Sequence, residues 1–180
     1  MVDRVKFKNT EVSRLGLGTM RLPCKTPLKR EANPLIDYTK GQQLVDMAYR
    51  NGVNYFDTAY MYHQGKSEKF IGTALKKYPR DTYFLADKLP IWLCKSPKDM
   101  QKIFDKQLER TGIDCFDFYL LHNVCEMNVD AYLDEKYGIL DYLLKQKENG
   151  RIRHLGFSAH GSREVMERFL DSYGSYMEFC

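Results

Sequence analysis

One repeated unit constrains the fold of this chain more than any other feature: a short run rich in β-branched and aromatic residues, a polar turn, then an amphipathic helical stretch. Strand-like runs fall at residues 15–19, 54–58, 82–88, 116–122 and 154–158, and helical stretches at 41–50, 67–78, 97–110, 131–148 and 162–173. The strand-like runs lack in/out alternation, as expected for parallel strands covered on both faces. Phe70, Ile71, Ala74 and Leu75 recur at helical spacing, as do Met100, Ile103, Phe104 and Leu108. Ser67 and Ser96 read as N-caps, the latter with Pro97 at the first helical position, and Gly112 and Gly150 stand where C-terminal glycines belong. Strand–helix alternation of this kind predicts an α/β chain of the (β/α)8 TIM-barrel type.

Residues 5–12 read as a small hairpin turning near Asn9, able to plug the bottom of such a barrel, and residues 21–40, with Pro23, Pro27 and Pro34, as a long loop after the first barrel strand. In a (β/α) barrel that loop lies on the catalytic face. Five strand–helix pairs are followed by Met177-Glu178-Phe179-Cys180, the start of a sixth strand. A closed barrel takes about 250 residues, so the expectation is one incomplete barrel domain over 1–180, truncated near its sixth strand. Its open edge would favour self-association.

Composition narrows the class. With 43% hydrophobic and 29% charged residues the chain is of ordinary globular type. Its longest apolar runs are strand-sized, and the alternating start Met1-Val2-Asp3-Arg4-Val5-Lys6 lacks a signal-peptide core, so neither a membrane nor secretion is expected and the cytoplasm is. Five cysteines without a C-x-x-C pair indicate reduced thiols, with no disulfide framework and no metal site. The net charge of +4 is spread along the chain, too weak for nucleic acid yet compatible with a phosphorylated cofactor.

Four polar residues stand at or just past the C-terminal ends of successive strand-like runs: Asp57 and Tyr62, then Lys88, then His122. Singly each has an ordinary reading, as a turn cap, a rim aromatic, a solvated lysine and a buried histidine. Jointly they deliver titratable groups from three strands to the catalytic end of one architecture. Tyr60 shares the loop of Tyr62 but not its spacing from Asp57.

These residues sit in longer motifs. Gly16-Leu17-Gly18-Thr19-Met20-Arg21, Asn51-Gly52-Val53-Asn54-Tyr55-Phe56-Asp57-Thr58-Ala59-Tyr60-Met61-Tyr62 and Gly65-Lys66-Ser67-Glu68-Lys69-Phe70-Ile71-Gly72-Thr73-Ala74-Leu75 resemble the opening of the aldo-keto reductases. Lys88 in Leu85-Ala86-Asp87-Lys88 and His122 in Asp117-Phe118-Tyr119-Leu120-Leu121-His122 match the family's third and fourth strand ends. The resemblance implies reduction of an aldehyde or ketone by hydride transfer from NADPH, or NADH, with Tyr62 as proton donor. A free tyrosine, with a pKa of roughly 10, exchanges its proton poorly at neutral pH, and a neighbouring ammonium favours the phenolate. By the resemblance Lys88 supplies that charge, Asp57 orients Lys88, and His122 donates to the substrate oxygen.

The resemblance also assigns Gly18, Thr19 and Met20, with Asp57, to the cofactor side, and Ser158 to the nicotinamide carboxamide. In Gly156-Phe157-Ser158-Ala159-His160 the familiar Ser-Asn is Ser-Ala, so Ala159 lacks one amide contact and His160 is the neighbouring polar alternative. The family's later Gln, ring-stacking aromatic and basic phosphate-gripping segment fall beyond Cys180. So would the iron-sulfur cysteines of a bacterial group with a similar His-bearing fifth strand. The competing readings are a non-catalytic nucleotide-sensing or partner-binding module, and a phosphate-handling isomerase whose usual loops after strands seven and eight are absent here.

Overall fold

The chain opens with an antiparallel hairpin of β1 (Arg4–Phe7) and β2 (Thr10–Ser13), with Phe7 opposite Thr10 across Lys8 and Asn9. Lys8 takes a left-handed conformation, φ 50°, to make the reversal, which falls where the sequence indicates. The structure, a computed structural model, describes residues 1–25 and 35–180. It divides into two compact units, Met1–Ala86 with Arg110–Gly112, and Asp87–Glu109 with Ile113–Cys180.

In the first unit the hairpin is followed by β3 (Gly16–Gly18), α1 (Tyr38–Arg50), β4 (Tyr55–Asp57), α2 (Ser67–Leu75) and the first half of β5 (Phe84–Leu89). β4 pairs in parallel with β3, Asp57 opposite Gly18, and with β5, Asp57 opposite Ala86. Val45, Phe56, Phe70, Ile71, Leu75 and Leu85 are buried beneath the helices. Burial of each such side chain contributes roughly 1.5–3 kcal/mol.

Pro27 and Pro34 of the loop expected over 21–40 lie outside the described residues. Its flanks meet, Lys25 N–H donating to Leu35 O at 3.0 Å and Asp37 N–H to Pro23 O at 2.8 Å. Asp37 then caps α1 by accepting from Lys40 N–H at 3.1 Å, which starts the helix three residues before the expected position 41. Ser67 is not the N-cap of α2; Lys66 holds that position, and the Ser67 side chain is fully buried. α2 stops at Leu75, ahead of Pro79, instead of reaching 78.

The second unit contains the end of β5, most of α3 (Pro97–Thr111), β6 (Phe116–Val124), α4 (Val129–Leu133), α5 (Ile139–Glu148), β7 (Ile152–Ala159) and α6 (Arg163–Tyr173). β6 and β7 are parallel, in register from Phe116 opposite Ile152 to Leu121 opposite Phe157, with an irregularity before Val124. Phe104 meets Phe116 and Tyr119 edge-on, at centroid distances of 5.8 and 5.0 Å, in a core completed by Leu121, Leu143, Leu155 and Phe169.

The single helix expected over 131–148 is two. α4 ends at Leu133, a tight turn follows at Glu135–Tyr137, and Gly138 at φ 55° reverses the backbone before α5. Apolar periodicity persists through the break because both helices bury the same kind of side chain, so the interruption is legible only in Gly138 itself. Gly112 and Gly150 do end their helices with positive φ, 69° and 72°. The sixth strand begins as expected beside β7: Glu178 N–H donates to Leu155 O at 2.8 Å, and Gly156 bridges Phe179 in parallel.

Candidate active site

Asp57 is the last residue of β4, and its carbonyl is doubly held, accepting the Thr19 N–H and the Thr19 hydroxyl, each at 2.9 Å. The Thr19 hydroxyl accepts in turn from Ser67 Oγ at 2.6 Å, and Ser67 Oγ lies 2.9 Å from Thr58 Oγ1. Thr19, Thr58 and Ser67 are all fully buried. A relay of three hydroxyls therefore fixes the strand end that carries Asp57. The Thr19 side chain is committed to this relay and faces inward, whereas Met20 is 59% exposed. A Cβ on Gly18 would meet no atom within 4 Å, so packing within the fold does not itself require glycine there.

Tyr62 begins a tight turn, Tyr62–Gly65, its N–H donating to Ala59 O at 3.0 Å. His63, Gln64 and Gly65 are consecutively left-handed, at φ 50°, 57° and 80°. Left-handed backbone disfavours residues with a Cβ, so outside contacts must hold the turn. Leu22 N–H donates to His63 Nε2 at 3.1 Å, and burial pulls the His63 pKa below its usual value, keeping that nitrogen an acceptor. The Arg110 guanidinium stacks 4.5 Å over the Tyr60 ring and would lie 3.2 Å from a Cβ on Gly65. Sequence reasoning missed both braces, since neither His63 nor Arg110 belongs to a motif of its own.

In the second unit Lys88 lies near the end of β5 and is 5% exposed. His122 lies in β6, two residues before the strand ends. The Tyr132 hydroxyl is shared between Leu89 O at 2.9 Å and His122 O at 2.7 Å, tying the backbone beside Lys88 to that of His122. Burial pushes the His122 pKa down to about 3, and the Lys88 ammonium and His160 act in the same direction. An imidazole so placed is neutral near pH 7 and has one N–H to donate. Trp92, 45% exposed, stands with its ring 5.1 Å from that of His122.

Ser158 Oγ accepts the N–H of Asn123 at 2.7 Å, which leaves its own hydrogen to donate. Asn123 is left-handed, φ 60°, and its carbonyl accepts from Asn128 Nδ2 at 2.7 Å. The His160 N–H donates to Val124 O at 2.9 Å. Each strand end carrying a candidate residue is thus fixed through its backbone. Among the described residues no group of three or more His, Cys, Asp or Glu side chains could hold a metal ion, and no helix is long and apolar enough to cross a membrane.

Parallel strands with titratable residues at their C-terminal ends are the arrangement of a (β/α)-barrel enzyme. The chain belongs to the aldo/keto reductase family, whose model matches residues 14–178. Among curated relatives it is 32% identical over 178 residues to an NADH-specific methylglyoxal reductase of Escherichia coli, covering 86% of this chain and 51% of that protein. A Schizosaccharomyces pombe aldo-keto reductase whose name specifies NADP(+) is 30% identical over 164 residues, covering 85% of this chain and 44% of its own. The chain thus spans about half the length of the curated relatives it matches. A solved Klebsiella pneumoniae aldo-keto reductase in complex with NADPH superposes with a TM-score of 0.74 at 23% identity, over 98% of this chain and 56% of that one, a likeness of fold. The fold is accordingly of TIM-barrel type, present here in part.

Proposed function

We propose that the natural gene product carrying this sequence reduces an aldehyde or ketone to an alcohol with NADPH, through Asp57, Tyr62, Lys88 and His122. The observation that carries the reading is the placement of His122: half-buried near the end of β6, tied through the Tyr132 hydroxyl to the backbone beside Lys88, and with its pKa pushed down by burial and by Lys88, it is suited to donate a hydrogen bond to a substrate oxygen. NADPH, or NADH, supplies the hydride when bound. The open space at Gly18, the exposed Met20 and the remaining hydrogen of Ser158 fit such a cofactor. Thr19 holds the cofactor loop through Asp57 and does not offer its own hydroxyl.

Tyr62 gives its proton to the carbonyl oxygen as negative charge develops there, His122 donates to the same oxygen, and Lys88 stabilises the phenolate left on Tyr62. Asp57 orients Lys88. The enzyme works in the cytoplasm on a small-molecule carbonyl.

The test follows NADPH binding by fluorescence and carbonyl-dependent loss of its absorbance in the natural gene product. Binding with turnover of an aldehyde is expected. Tight binding without turnover of any aldehyde or ketone would instead favour a nucleotide-sensing module.

A further inference from the structure

Behind Lys88, on the side of β5 that faces α3, three fully buried polar side chains are joined in series: Asp87, Gln107 and Tyr119. Gln107 Nε2 donates both to Asp87 Oδ1 at 2.8 Å and to the main-chain oxygen of Lys88 at 2.9 Å, and Gln107 Oε1 accepts from the Tyr119 hydroxyl at 2.6 Å. Asp87 Oδ1 also accepts the N–H of Lys88 at 2.8 Å. The two peptide groups that flank the Lys88 Cα are therefore each held by a buried side chain, one through its N–H and the other through its carbonyl.

The orientation of the Gln107 amide is determined. Turned over, it would set its oxygen against the Lys88 carbonyl and the Asp87 carboxylate, three acceptors with no hydrogen among them. Apolar side chains of the same volume would fill this space without desolvating a carboxylate, an amide and a phenol. What they could not do is grip the backbone of Lys88. Because neighbouring strand residues point to opposite faces, Asp87 reaches α3 while Lys88 points the other way, and the network acts on Lys88 only through its main chain.

We infer that Asp87 and Gln107 are positioning residues, which fix the φ and ψ of Lys88 and so aim its ammonium for proton transfer. This rests on the reductase reading of Lys88. Small displacements of a group that must meet a reacting centre lower rates by tenfold or more, roughly, without weakening ground-state binding.

The experiment measures kcat and KM in the natural gene product with NADPH and a panel of methylglyoxal and benzaldehyde, with folding checked by circular dichroism. Gln107→Leu is expected to lower kcat by at least about tenfold while KM for NADPH stays within about twofold. Asp87→Asn keeps an oxygen at Oδ1 and should rescue kcat to within about twofold of wild type, whereas Asp87→Leu should fall as Gln107→Leu does. Tyr119→Phe removes the hydroxyl that donates to Gln107 Oε1 and so loosens the seating of the amide. It carries the test should either leucine variant fail to fold, with a severalfold loss of kcat expected. Lys88→Met serves as the reference. If Lys88→Met is inactive while the Gln107, Asp87 and Tyr119 variants that fold keep wild-type kcat, the positioning inference is overturned and the reductase reading stands. If wild type shows no turnover, or Lys88→Met turns over as fast as wild type, the reductase reading falls and the inference with it.

Discussion

Arg110 and Glu68 form an ion pair of unequal burial: Nη1 donates to Oε2 at 2.7 Å, the arginine side chain 23% exposed and the glutamate side chain fully buried. The same guanidinium covers the Tyr60 ring, so one side chain neutralises an interior carboxylate and braces the turn that carries Tyr62. Arg110→Leu removes the guanidinium that donates to the buried Glu68 carboxylate. We expect a loss of about 2–3 kcal/mol, somewhat below the cost of breaking a fully buried pair because Arg110 keeps partial contact with solvent. Urea denaturation measures it, and a change under about 0.5 kcal/mol would show that the pair contributes little.

Gly72 is held by space. A Cβ there would lie 2.1 Å from the main-chain oxygen of Thr111, and both partners are backbone with no side chain able to yield. Gly72→Ala should cost at least about 2 kcal/mol, toward the upper end for overpacking, or prevent folding. Gly112→Ala is the contrast, since nothing lies within 4 Å of its Cβ and only its φ of 69° opposes a side chain. It should cost about 1 kcal/mol by thermal or urea denaturation.

Stability should depend on pH through His122. Its pKa is about 3 in the folded chain against 6.5 for the ordinary imidazole, so between those values the unfolded chain holds a proton that the folded chain lacks. Unfolding therefore takes up a proton in that window, and acid favours it. The contribution of a neutral His122 is complete above about pH 6.5 and falls steadily as pH drops toward 3. His122→Gln should show a flatter stability profile between pH 6.5 and 4, in urea titrations at several pH values. Parallel profiles for the two proteins would contradict the assignment.

Tyr132→Phe removes the one hydrogen shared by the carbonyls of Leu89 and His122. A buried carbonyl next to Lys88 and the part-buried carbonyl of His122 lose a donor, and a destabilisation of about 1–3 kcal/mol is expected, together with a fall in kcat because both lie on the backbone that positions proposed catalytic residues. Thermal melting and steady-state rates measured on one preparation would check both. An unchanged melting temperature would mean the hydroxyl is not bonded as described.

The elements legible in the sequence were those whose signal is local. Parallel strands such as β6 announce themselves by continuous apolar runs, and Gly112 and Gly150 mark helix ends because few other residues favour that backbone. Asp57, Tyr62, Lys88 and His122 stand out as candidates because their spacing matches a family motif. What escaped depends on partners far along the chain. Ser67 looks like a helix cap until Thr19, 48 residues earlier, is seen to accept its hydrogen bond. Asp87 precedes Lys88 and reads as one more charged strand residue, since its link to Gln107 joins a strand to a later helix. The break at Gly138 was hidden because apolar period alone cannot tell one helix from two in line.

The most direct test of the central claim is a single-turnover measurement on the natural gene product, with NADPH bound and an aldehyde mixed in, comparing wild type with Tyr62→Phe. If Tyr62 is the proton donor, hydride transfer should slow by roughly 100-fold or more while NADPH binding is retained. A Tyr62→Phe rate within a few-fold of wild type would contradict the account.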